Sequence, residues 1–179
     1  MQIYIFAAEK SNLFLMSKEI RLKKGLTIHL LGDADKVYAS TKPTEKYIVK
    51  PTDFHGLIPR LCVKVGDKVK AGTPLFYDKY NEKINFCSPV SGEITDIVRG
   101  EKRKIMEVVI KADTEIVYEQ FTTSSADSLS REQIIETMLK AGIWPCVRQK
   151  PYDIIANPAD MPKAIFISTF STAPLAIDN

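Results

Sequence analysis

Cysteine and histidine are scarce in this 179-residue chain. The three cysteines, Cys62, Cys87 and Cys146, are odd in number, far apart and form no CxxC pair. Four-cysteine ligation of an iron–sulfur cluster is excluded. A disulfide framework is disfavoured, and the pattern points to a reducing, cytoplasmic compartment. His29 and His55 have no ligand-spaced partner and read as ordinary strand or loop residues, so no metal site is assigned. No apolar run approaches the ~18 residues that span a bilayer, so the chain has no transmembrane segment of its own. The first ten residues lack the basic start and long apolar stretch of a secretory signal, and Glu9-Lys10 closes the run. No GxGxxG, P-loop or HExxH occurs. Ser, His and Asp are not grouped as a nucleophile, base and orienter, so no catalytic residue is assigned.

A charge excess is also missing. Lys and Arg number 25 against 22 Asp and Glu, a net +3, and bases alternate with acids at Asp67-Lys68, Asp78-Lys79, Glu82-Lys83 and Glu101-Lys102. Nucleic acid is therefore not an expected partner. With 45% apolar and 26% charged residues, collagen-like, disordered and coiled-coil classes fall away.

What is present is β structure, from residue 27 to about 121. Short apolar runs at 27–31, 47–49, 61–65, 75–77, 84–87, 94–98 and 105–110 are separated by Gly, Pro, Asn or Asp. Lys64, Lys68 and Lys70 alternate with Val63, Val65 and Val69, the period of a half-buried strand. Such short, closely spaced strands predict a small sandwich or barrel. A polar linker follows at 122–128. Next comes the best-signalled element, a helix with Ser130 and Gln133 as a capping box and Leu129 and Ile134 as a staple. Its apolar stripe is Ile134, Ile135, Met138 and Leu139. Glu132 suits its start, Lys140 its end, and Gly142 stops it. The run 164–168 is apolar on both faces and predicts a buried parallel strand. Helix and strand together read as the start of an α/β domain. Residues 121–179 are few for a self-sufficient domain, so the expectation is a truncated one.

The stretch 63–76, with Gly66-Asp67 and Gly72-Thr73-Pro74, followed by Ser88-Pro89 and Gly92 in 88–97, resembles the barrel-sandwich hybrid of biotinyl and lipoyl carrier domains. In carriers a modified lysine sits at the tip of the hairpin between these halves. Here the hairpin reads as 78–83, and Lys79 stands where the Asp-Lys of a lipoyl domain would. No Met-Lys-Met occurs, which leaves biotin unsupported, and the tip reads as longer than a lipoyl hairpin. A solvated turn lysine is the expectation.

The wider pattern is more specific. Ile20-Arg21-Leu22-Lys23-Lys24-Gly25-Leu26, the carrier-like block, Arg99-Gly100-Glu101-Lys102-Arg103, Ala141-Gly142-Ile143-Trp144 with Arg148 and Pro151, and Ala173-Pro174-Leu175-Ala176 occur in this order. From residue 18 onward the chain resembles the N-terminal part of the A subunit of the sodium-translocating NADH:quinone oxidoreductase of bacterial membranes. The family protein is longer, which implies a fragment here. The resulting division is 1–17 outside the resemblance, 18–121 a barrel-sandwich hybrid β domain, and 122–179 the start of an α/β domain. Met16 reads as a natural start. Residues 1–15 are therefore expected to be an extension without a structural role, the alternative being an edge strand at 3–6.

The resemblance implies a peripheral subunit on the cytoplasmic side of the inner membrane, partnered by the other subunits of the pump. The complex moves electrons from NADH to quinone through flavins and iron–sulfur centres. This chain is expected to bind none of these cofactors and to be structural rather than catalytic alone. Quinone sites are apolar clefts without a fixed local signature, so no residue is assigned to one. Related subunits that bind FMN and NADH place a glycine-rich loop after the equivalent helix. Here Gly142 is followed by Trp144 and Pro145, which disfavours close backbone wrapping of phosphates. Trp144 and Arg148 are candidate contacts of the second domain, Trp144 as a packing anchor. Arg99, Lys102, Arg103 and Lys104 form the one dense basic run. It reads either as a solubilising hairpin tip or as a dock for an acidic protein of the complex or anionic headgroups, each cation then contributing on the order of 1 kcal/mol. Besides the assembly role, the alternatives are a lipoyl-like carrier using Lys79 and a non-enzymatic β-sandwich binding module.

Overall fold

The computed structural model describes residues 2–7, 31, 32, 35, 37, 40–121 and 125–168. Residues 20–26, 27–30 with His29, 122–124 and 173–176, which carried expectations above, lie outside the described residues. In chain order the strands are β1 (Gln2–Ala7), β2 (Lys46–Val49), β3 (Pro59–Leu61), β4 (Lys68–Val69), β5 (Pro74–Asp78), β6 (Asn81–Cys87), β7 (Gly92–Arg99) and β8 (Ile105–Ala112). The helix α1 (Arg131–Lys140) follows, then β9 (Val147–Lys150), β10 (Ile154–Ile155) and β11 (Pro162–Ser168).

Two antiparallel sheets, β2-β8-β7-β4 and β3-β5-β6, make the β domain. Glycine and proline punctuation cuts the strands short, and the chain crosses between sheets at those points. Gly66 N–H donates to the Ile94 carbonyl, and Gly72 N–H donates to that of Ser88. Leu75, Phe76, Ile94, Val108 and Ile110 are fully buried between the sheets, each worth roughly 1.5–3 kcal/mol of burial. Phe86 stacks on Phe76 at 4.9 Å and meets Phe54 edge-on at 4.6 Å. The run 61–65 does not stay in one strand. The strand ends at Leu61, with one further bond from Cys62 N–H to the Leu75 carbonyl, Val63 is buried, and Val65 is exposed beside the Gly66 turn.

Gly92 fixes the approach of β7 to β8. A Cβ there would collide with the Lys111 carbonyl oxygen and lie 2.8 Å from its carbon. The neighbouring Ser91 hydroxyl, almost wholly buried, accepts from Val117 N–H at 2.9 Å. That bond pins the strap of residues 113–121 along the domain, where the Ala71 N–H donates to the Val117 carbonyl and the Ala71 carbonyl accepts from Glu119 N–H.

The helix forms where its local signals place it. Ser130 Oγ accepts from Gln133 N–H, and Gln133 Oε1 accepts from Ser130 N–H, a complete capping box. Gly142, at φ +70°, closes the far end. Its N–H donates to Leu139 and that of Ile143 to Met138, a Schellman motif.

Three expectations give way. The first residues are not an extension without a role, nor an edge strand. The sheet order is β10-β9-β1-β11, so β1 is an inner strand, parallel to β9 and antiparallel to β11. Its residues, Ile3, Tyr4, Ile5 and Phe6 among them, favour β structure, and the gap between β9 and β11 offers backbone partners on both sides. Secondly, β11 is antiparallel and at an edge, and Ile165, Phe166 and Ile167 are more than half exposed. Burial of a two-sided strand needs a layer on each face, and α1 packs instead against β6 of the barrel. Thirdly, the 78–83 hairpin tip is short. Asp78 pairs with Asn81, leaving only Lys79 and Tyr80 in the turn, because Asn81, Glu82 and Lys83 join the ladder.

Candidate functional site

The β7–β8 hairpin carries the basic run to its tip. Arg99 still pairs with Ile105, and Gly100 N–H donates to the Lys104 carbonyl at 2.8 Å, closing the loop. Lys102 and Arg103 lie in the left-handed region, at φ 52° and 61°. Neither is glycine, and such a conformation costs on the order of 1–2 kcal/mol per residue. Arg99 Nη1 donates to the Arg103 carbonyl at 3.4 Å, which holds the turn. All four cations are exposed, and among the described residues none is ion-paired. Glu101 is the one acid in the tip.

At the foot of this hairpin lies a cleft of about 410 Å³. Lys104 and Ile105 form one wall, and the loop 51–59 forms the other, with Phe54, Leu57 and Ile58 as its apolar part and His55 at the edge. The loop is held by a short 3₁₀ turn, Pro51–Asp53, in which Phe54 N–H donates to the Pro51 carbonyl. Arg148, on β9, sits over the Phe54 ring at 5.7 Å, worth roughly 0.5–1 kcal/mol at such a site. Phe54 therefore links two separately predicted residues, lining the cleft with Lys104 and carrying Arg148 on its ring. Sequence reasoning missed this cleft, although Pro51 and Pro59 bracketing Gly56 marked a loop.

The second hairpin tip, at Lys79-Tyr80, borders the same loop, since Lys79 N–H donates to the Ile58 carbonyl at 2.9 Å. Asp78 Oδ1 accepts from Tyr80 N–H at 3.2 Å, and Lys79 Nζ lies 5.7 Å from the Tyr80 ring centre. Both side chains project into solvent.

Trp144 stands apart from both tips. It is buried with Leu139, Val147 and Ala156, and its indole N–H donates to the Ala156 carbonyl at 2.7 Å. Gly142 lies against Cys87 of β6, where a Cβ would come within 2.8 Å of the Cys87 Cβ. Burial pushes the Cys87 thiol up to about 11, with a smaller contribution from nearby Cys62, whose own thiol burial also raises. Both are protonated at neutral pH and are poor nucleophiles. A wider groove opens where α1 splays from β6, lined by Asn81, Lys83, Arg131, Ile135 and Glu136. Its cations are occupied in part. Arg131 donates to the Asp160 carbonyl at 2.9 Å, and Lys140 pairs with Glu136 at 2.8 Å, which holds the Glu136 carboxyl below its usual range.

No helix of the described residues is long and apolar enough to cross a membrane. Among the described residues no group of three or more His, Cys, Asp or Glu is placed to hold a metal ion.

Two sheets crossing at glycine corners, followed by a small α/β region with one helix, define a barrel-sandwich hybrid protein with an α/β appendage. The family described as NqrA N-terminal barrel-sandwich hybrid domain matches residues 20–113, and that described as NqrA second alpha/beta domain matches residues 129–179. The chain belongs to the NqrA family. Among curated relatives, the A subunit of the Na(+)-translocating NADH-quinone reductase of Tolumonas auensis is 37% identical over 160 residues, 88% of this chain and 36% of the relative. The A subunits of the same reductase from Yersinia pestis and Pseudomonas aeruginosa (strain UCBPP-PA14) are 35% and 32% identical, each over 161 residues, 89% of this chain and 36% of the relative. The chain thus spans about a third of the length of these relatives.

Proposed function

We propose that this chain forms part of the peripheral A subunit of a sodium-translocating NADH:quinone reductase, on the cytoplasmic side of the bacterial inner membrane. Its role there is assembly of the complex, and electron transfer from NADH through flavins and iron–sulfur centres to quinone belongs to other subunits. The observation that carries this reading is the succession of both NqrA domains, in order, along one chain. In-frame removal of the coding region for residues 40–112 from the source cells tests it. Sodium-stimulated NADH:quinone reductase activity of the membranes is expected to fall by more than about tenfold, and the intact complex is expected to vanish from native gels. Unchanged activity overturns the reading. An assembled but inactive complex moves the role from assembly to turnover.

The two-residue tip at Lys79-Tyr80 favours a second reading, a lipoyl-like carrier with its arm on Lys79, since the tip is not longer than a tight hairpin. Intact mass of protein from cells able to lipoylate decides between the two. The expected result is the unmodified mass, which ends the carrier reading.

A further inference from the structure

The basic tip and the cleft beneath it were separate features of the sequence, and the fold joins them. Lys104 belongs to both, as the last residue of the turn and as a wall of the cleft. We propose that this end of the barrel is a docking site for an acidic segment of a partner polypeptide. Its carboxylates meet Arg99, Lys102, Arg103 and Lys104, and a neighbouring apolar side chain enters the cleft against Phe54, Leu57 and Ile58. The inference names the contact surface of the assembly role and rests on that reading.

Three observations carry it. The four cations have no carboxylate partner among the described residues, while other nearby charges are engaged, Lys50 with Glu107 at 3.5 Å and Asp78 with the Tyr80 N–H. Glu101 in the turn and Asp53 on the loop carry the opposite charge, and Glu107 is taken up by Lys50. The turn is held in one shape by the Gly100 and Arg99 hydrogen bonds, so its cations are arranged before a partner arrives. The cleft is concave and partly apolar, with Ile58 exposed at its edge. A flat anionic membrane would meet the projecting tip and have no use for the cleft, whereas a peptide alternating carboxylates with apolar side chains fills both.

The test is fluorescence anisotropy of a labelled dodecapeptide alternating Glu and Leu, titrated with the whole chain in low salt and again near 0.3 M NaCl. Saturable binding that weakens with salt is expected. Arg103→Glu with Lys104→Glu is expected to weaken it more than about tenfold, and Ile58→Ala about threefold. The control Lys46→Glu with Lys111→Glu makes the same change in net charge at the far end of β8 and is expected to weaken binding less than about twofold. If the reversed tip unfolds by circular dichroism, Arg103→Gln with Lys104→Gln replaces it. Absence of saturable binding overturns the proposal, as does equal weakening by tip and control. So does a tip variant that keeps peptide binding but no longer sediments with vesicles of 30% phosphatidylglycerol in phosphatidylcholine, which would make the surface a lipid contact. Because peptide binding is read on the isolated chain, its failure leaves the deletion result above standing on its own.

Discussion

Leu75, Phe76, Ile94, Val108 and Ile110 are shut inside the barrel, whereas Ile165, Phe166 and Ile167 of β11 stand more than half in solvent. Both regions are built from short apolar strands. The barrel has two sheets, and each covers the inner face of the other, so its apolar residues need no further layer. Among the described residues the α/β region has one sheet and one helix, and that helix lies on β6 of the barrel. Its best-buried residues, Leu139, Trp144, Val147 and Ala156, belong to the same apolar cluster as Phe76 and Phe86. What order the second region has is therefore concentrated at its contact with the first, and it thins toward β11.

That contrast can be broken experimentally, and Trp144 is where it is most exposed. Trp144→Ala is expected to cost about 4 kcal/mol in urea denaturation, with amides of α1 and β9 losing hydrogen-exchange protection while β5–β8 keep theirs. If β5–β8 lose protection equally, the two regions are one cooperative unit and the contrast fails. The reverse change, Gly92→Ala, forces β7 off β8 and is expected to cost about 3 kcal/mol, felt first by β7 and β8. Ser130→Ala removes one half of the capping box and is expected to cost about 1 kcal/mol, confined to the exchange of the first turn of α1.

The smallest effect is one of pH at the seam. The Cys87 thiol ordinarily titrates near 9.0 and is raised to about 11 in the folded chain. Between those values the unfolded chain has lost the proton and the folded chain keeps it, so the contribution of Cys87 to stability is intact below pH 9 and is lost as pH rises toward 11. Wild type is expected to lose a few °C more in Tm than Cys87→Val between pH 8 and pH 10.5. Equal losses would show that burial at the α1–β6 seam does not act on this thiol.

Much of the fold was readable because its signals are local. Ser130 and Gln133 sit three residues apart and meet each other, and the turns at Gly66 and Gly72 are closed by near neighbours, Asp67 N–H on the Lys64 carbonyl and Thr73 N–H on that of Lys70. The pairing of β1 was not readable, since Ile3 is matched to Val147 and Ile5 to Ile165, and no local code joins residues so distant. The short second tip was missed because Asn81, Glu82 and Lys83 have turn composition, and only their pairing opposite β5 draws them into the ladder. At the candidate docking end the same rule holds. The run of cations from Arg99 to Lys104 is plain in the sequence, while the cleft needs Phe54 and Ile58, brought there from nearly fifty positions earlier by packing on β8.

The placement of β1 has a consequence for the order of events during synthesis. Residues 2–7 are made long before both of their partners, since β9 and β11 lie beyond residue 146. At roughly 5–20 residues per second the opening strand waits on the order of ten seconds or more with its backbone unpaired, while the entire barrel is made and closes beside it. An apolar strand kept waiting that long is open to binding by chaperones or by other nascent chains, so the yield of folded protein depends on how soon β9 and β11 follow it.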